Sequence, residues 1–121
     1  MNKVLSRVIV GAIALAGLVS VAGAQEAAHI ASPEQYELIF ENDSVMVLRM
    51  ELEPGEADTI HRHNNETVYF QSGGKIRIDE QGEVFEAEIP DGHVMWHQAW
   101  VHQVTNVGDT PVVAIIVEEK H

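Results

Sequence analysis

The chain has 121 residues and no cysteine, and 19 acidic against 7 basic side chains give it a formal charge of −12. That length fits one domain. Without cysteine there is no disulfide framework, no thiolate metal site and no cysteine nucleophile, so any metal must sit on His, Asp or Glu. Without Lys/Arg clusters to displace counterions, the surface is set against nucleic acid and anionic membrane.

Residues 1–24 read as a secretory signal peptide. Lys3 and Arg7 supply the basic start, residues 8–24 carry no charge, and Ala22-Gly23-Ala24 forms the small-x-small end that signal peptidase accepts. The uncharged stretch falls short of the ~20 residues that a comfortable membrane crossing needs. Cleavage after Ala24 leaves a mature, acidic protein, periplasmic or secreted, with no membrane attachment. All 19 acids remain in it, and the bases Arg49, Arg62, Lys75, Arg77 and Lys120.

Residues 25–35 read as a flexible lead-in. Residues 36–121 read as one all-β domain, because short runs rich in Val, Ile, Met and aromatics recur between Gly, Pro, Asn and Asp clusters, with no sustained 3.6-residue period. The spacing predicts strands over 36–40, 45–52, 57–61, 67–71, 75–79, 84–88, 93–97, 102–106 and 112–118, the pattern of a sandwich or barrel. Residues 112–117 are apolar on both alternating faces. Such a strand is covered on both sides, either within the chain or by a second subunit, and a homodimer is expected.

His61-Arg62-His63 sets two imidazoles on one face of a strand. Chance can supply one His-x-His in a chain with seven histidines, so the context carries the claim. Asn64-Asn65 predicts a two-residue hairpin turn, in which His63 and Glu66 become cross-strand partners on one face, with His61 opposite Val68. Three ligands then converge: His61, His63 and Glu66. Further along, His102 shares an inward face with Val104 and Asn106, and a buried histidine without a partner is costly, which makes it a fourth candidate.

This arrangement resembles the cupin superfamily. Gly55, His61, His63, Glu66 and Gly73 follow the order of the family's first motif, with a shorter step from His63 to Glu66 than is usual. His102 and Asn106, followed by Val107-Gly108-Asp109-Thr110-Pro111, resemble the close of the second. The resemblance covers about residues 36–118. It implies a small jelly-roll (double-stranded β-helix) barrel with one divalent transition metal, such as Fe, Mn, Ni, Zn or Cu, held by His61, His63, Glu66 and His102.

The other candidates are weighed against plainer roles. His97, near Trp96 and Trp100, is the candidate proton carrier at a pocket mouth, beside the plainer reading of an edge histidine. His93 and His121 read as loop and tail residues, Tyr69 as facing out of the barrel, and Arg49 as a sheet-face residue paired with an acid. Three His and one Glu leave coordination positions open to a small-molecule substrate or O₂. The expectation is a small exported metal-binding protein, either an enzyme of dioxygenase, isomerase or lyase type, or a non-catalytic metal or small-ligand module of the cell envelope.

Overall fold

The structure, a computed structural model, describes residues 25–121; the signal-peptide reading of residues 1–24 lies outside them. After a single helical turn, α1 (Ala28–Ala31), come nine strands: β1 (Tyr36–Glu41), β2 (Val45–Leu52), β3 (His61–His63), β4 (Glu66–Ser72), β5 (Gly74–Glu80), β6 (Glu83–Ile89), β7 (Val94–His97), β8 (Trp100–Asn106) and β9 (Val112–Glu119). Five form one sheet in the order β1-β2-β9-β4-β7, and four form the other in the order β3-β8-β5-β6.

Period-two alternation decides what each strand turns inward. From the five-stranded sheet come Met46, Leu48, Met50 and Leu52 of β2, Val112, Ala114 and Ile116 of β9, and Val68 and Phe70 of β4. Ile76 and Ile78 of β5 and Val104 of β8 close on them from the other sheet. Each such burial stabilises the fold by about 2 kcal/mol before the entropy of ordering is set against it. Two glycines of the first motif have local causes. Gly55 takes a positive φ of 83° as its N–H donates to the Asn106 carbonyl, and a Cβ on Gly73 would lie 1.9 Å from the Ile89 carbonyl oxygen.

Three expectations are corrected. Asn64-Asn65 is not a hairpin turn: β3 pairs with β8 and β4 with β7 and β9, so these two residues carry the chain from one sheet to the other. Their side chains tie the crossing down, with Asn64 Nδ2 donating to the Glu119 carbonyl and Asn65 Oδ1 accepting from the Ala99 N–H. Residues 57–60 form no strand beyond a bridge from Ala57 to Thr105, because the Asp58 carboxylate takes the Val104 N–H (2.8 Å) in place of a ladder bond, and β3 starts at His61. The lead-in is folded against β3: Arg62 donates from its backbone to Glu26 O and from Nε to Gln25 O, and Ala28 is fully buried. Within the chain, strand β9 is fully buried on one face, and Val113, Ile115 and Val117 are half-buried on the other, which leaves open the cover by a second subunit. Tyr69 faces outward and Arg49 pairs with Glu51 at 3.1 Å, as expected.

Candidate metal centre

The five-stranded and four-stranded sheets each send polar side chains into one end of the shared interior. On β3, His61 and His63 point inward on either side of exposed Arg62. His61 lies directly opposite His102 of β8, and His63 opposite Trp100. From the facing sheet, Glu66 opens β4 and pairs in register with Glu118 near the end of β9. The three imidazole centroids lie 4.7, 4.8 and 5.1 Å apart with rings near perpendicular. So His63 and Glu66 do meet, with His63 Nδ1 3.4 Å from Glu66 Oε1, but they meet across two sheets and not across a hairpin.

The hydrogen-bond partners fix which nitrogen of each ring is free. His61 Nδ1–H donates to the Thr59 carbonyl at 2.7 Å, and His63 Nδ1–H donates to Glu118 Oε2 at 2.5 Å. In neutral rings, each Nε2 then carries a lone pair, and the two Nε2 atoms lie 3.0 Å apart. Two lone pairs at that distance require a cation or a proton between them. His102 decides which: both of its nitrogens are buried without a hydrogen-bond partner. A proton shared by His61 and His63 leaves His102 unsatisfied, at a cost of about 1–3 kcal/mol for each orphaned polar atom. A divalent ion held by the three rings gives each of them a partner at one nitrogen, His102 included, and their ligating atoms lie within 4.8 Å of one another. The donor set therefore fits a transition metal.

Glu66 stands beside this group. Its ligating atom lies within 4.8 Å of those of His63 and Glu118. Trp100 Nε1–H donates to Oε2 at 2.6 Å, and Oε1 is buried with no hydrogen-bond partner, a free acceptor at the edge of the cluster. Glu118 is occupied on both oxygens, by His63 and by the Asn64 N–H at 3.0 Å, so it orients His63 from behind, as a carboxylate does for a metal-binding imidazole. Tyr36 OH donates to Asp58 Oδ2 at 2.7 Å and lies 3.5 Å from His61 Nε2.

Burial governs the protonation of these groups. It pulls His61 down to about 4 and His102 down to about 2, aided in both by the neighbouring imidazoles. His63 is pulled down by burial too, but the Glu118 hydrogen bond and the charges of Glu66, Glu118 and Asp58 outweigh it and leave the ring raised. Burial lifts Asp58 to about 6, raises Glu66, and holds Tyr36 well above its ordinary value. Two of the three rings thus stay neutral, as ligation demands, far below neutral pH.

No protein-family model matches the chain, and no curated protein matches it in sequence. Among solved structures, a cupin domain protein of Bordetella pertussis Tohama I is similar at a TM-score of 0.66 and 22% identity, over 71% of this chain and 92% of that one. The chain has the cupin fold. A double-stranded β-helix protein of Klebsiella pneumoniae (TM-score 0.55, 20% identity, 69% and 74% coverage) shares this cupin barrel. So does a sugar phosphate isomerase of the cupin superfamily from Silicibacter pomeroyi (0.53, 16%, 81% and 68%).

Beyond the histidines, the cupin barrel encloses a cavity of about 180 Å³. His63, Glu66, His97, Trp100 and His102 line its polar end, and aliphatic and aromatic side chains line the rest. His97 is half-buried, stacked on Trp100 with centroids 3.5 Å apart, and its Nδ1–H donates to the Gln98 carbonyl at 2.6 Å. It therefore lies at the cavity, while Trp96 is 56% exposed and does not line it. Glu118, Asp58 and Tyr36 escaped the reading from sequence. Glu118 left a signal, since it continues the inward face of Val112, Ala114 and Ile116, where an acid has no place without a partner. Asp58 and Tyr36 left none: their roles depend on a contact across 22 residues.

Proposed function

We propose that this protein is a small exported metalloprotein of cupin fold, in which His61, His63 and His102, with Glu66 beside them, hold one divalent transition metal that acts on a small molecule inside the barrel. The observation that supports this most strongly is that His102, whose nitrogens are buried without a hydrogen-bond partner, brings a ligating nitrogen within 4.8 Å of those of His61 and His63. When bound, the ion supplies Lewis-acid or O₂-binding chemistry. Glu118 holds His63 in the tautomer that ligates, Trp100 holds Glu66, and the apolar walls exclude water. His97, beside the cavity with Nδ1–H committed to Gln98, carries an Nε2 lone pair in its neutral form and is the candidate proton carrier.

The enzymatic classes that suit such a site are dioxygenase, isomerase and lyase. A non-catalytic metal or small-ligand module is favoured by one observation, the scarcity of ionisable groups along the cavity apart from the cluster and His97. Metal-loaded protein assayed with O₂ and with phenolic, keto-acid and sugar substrates separates the two: turnover of any of them supports the enzyme, and tight binding without turnover supports the module.

The proposal extends to pairing with a second copy. Phe40, Val47, Val117, Thr67 and Trp96 form a row across the outer face of the five-stranded sheet, with Phe40 and Trp96 more than half exposed. In so acidic a chain, charge repels two copies everywhere except across such an apolar strip. Sedimentation is expected to show twice the mass of the mature chain.

A further inference from the structure

The walls of the cavity define what fits in it. Phe70, Ile76, Ile78, Val104 and Ala114 leave no hydrogen-bonding group along most of its surface, and among the described residues no Lys or Arg lines it. A sugar there would bury several hydroxyls without partners, each at the cost of its lost hydrogen bonds to water. A phosphate or a dicarboxylate would meet no protein cation. It would meet the Glu66 carboxyl instead, which lines the cavity and is 1% exposed.

Size and polarity at the other end complete the description. A cavity of about 150 Å³ lined by apolar side chains accepts a benzene ring, and this one is about 180 Å³. Its apolar wall ends at Glu66, whose Oε1 is a buried acceptor with no partner, and at His63 and His102 of the histidine cluster. A hydroxyl suits that end, because its hydrogen can go to Glu66 and its oxygen can face the histidine cluster. The way in lies between β6 and β7, each at the edge of its sheet, where Ala87 and Met95 are half-buried and Phe85 is 45% exposed, all three lining the cavity.

We propose that the barrel takes a neutral, monocyclic, phenol-type molecule, ring against the apolar walls and hydroxyl toward Glu66 and the histidines, and that it rejects sugar phosphates and small dicarboxylates. The choice of head group rests on the metal-centre reading above, and the choice of ring rests on the walls alone.

The test uses full mature protein loaded with metal, its content measured by elemental analysis, and calorimetric titration with phenol, oxalate and glucose 6-phosphate. Phenol is expected to bind about tenfold or more tightly than either anion. Ala87→Phe, which fills the mouth from an edge strand, is expected to weaken phenol about tenfold or more with metal content unchanged. Should that variant fail to fold, the order of the three probes on wild type still decides. Oxalate or glucose 6-phosphate binding as tightly as phenol would overturn the inference, as would unchanged phenol binding in folded Ala87→Phe. Protein that loads metal and ignores phenol overturns this inference alone. Protein that takes phenol but no metal overturns the metal reading and leaves the choice of ring standing.

Discussion

The two ends of the barrel interior are built by the same strands and obey different physics. On β8, Val104 faces the apolar body and His102, two residues back on the same face, faces the histidine cluster; on β4, Phe70 and Glu66 divide in the same way. The apolar end is stabilised by the removal of surface from water, needs only complementary volume, and tolerates exchange of similar side chains. The polar end is a net liability until every buried group has a partner, and His102 and Glu66 have atoms without one. One end therefore supplies stability, and the other draws on it to hold a reactive arrangement.

The sharpest way to break this contrast is one truncation at each end. His102→Ala is expected to remove most of the bound metal while leaving the apo fold close to wild-type stability, since it deletes a polar group that is unsatisfied without the ion. Phe70→Ala, 5% exposed in the core, is expected to do the reverse, lowering stability by about 3 kcal/mol in urea unfolding while metal content per folded chain stays unchanged. If both variants lose stability and metal together, the two ends are not separable.

Smaller effects sharpen the comparison within the polar end. Glu118→Gln keeps the shape but removes the charge behind His63, and is expected to lower metal affinity about tenfold, within the range seen when a partner behind a metal ligand is lost. Glu66→Gln is expected to cost less than loss of any of the three histidines, since Trp100 still holds its other oxygen and a water can take its place. Competitive titration against a chelator of known affinity measures both.

Among the three rings, one sets the pH dependence of affinity. His61 and His102, held down at about 4 and about 2, carry no proton to displace near neutrality, whereas His63 is raised and does. Metal affinity should therefore increase about tenfold per pH unit up to the raised value of His63 and level off above it, with about one proton released per ion. Three protons released would mean that the rings are solvated.

The histidines were legible because strand alternation is local: His61 and His63 share a face on any strand, and His102 shares one with Val104 and Asn106 whichever strand lies beside it. The partnership of His63 with Glu66 was reached by a hairpin that does not form. Both readings turn the two side chains inward, since residues at the inner pleat of either sheet face the same interior. Sheet membership was hidden because Asn64-Asn65 serves a crossing as readily as a turn, its side chains finding Ala99 and Glu119 far along the chain. Glu118 and Asp58 were hidden for the same reason: what makes a buried acid tolerable is a partner distant in sequence, His63 in one case and Tyr36 in the other.

The central claim is that a divalent ion joins His61, His63 and His102. The measurement that tests it most directly is metal content by elemental analysis, with thermal unfolding before and after a strong chelator, on wild type and on His61→Ala/His63→Ala. The account predicts one ion per chain in wild type, a melting temperature that falls on chelation because the ion stabilises the native state by mass action, and a double mutant with neither. Stoichiometric metal surviving in the double mutant would contradict it and place the site elsewhere, around His93 and His97.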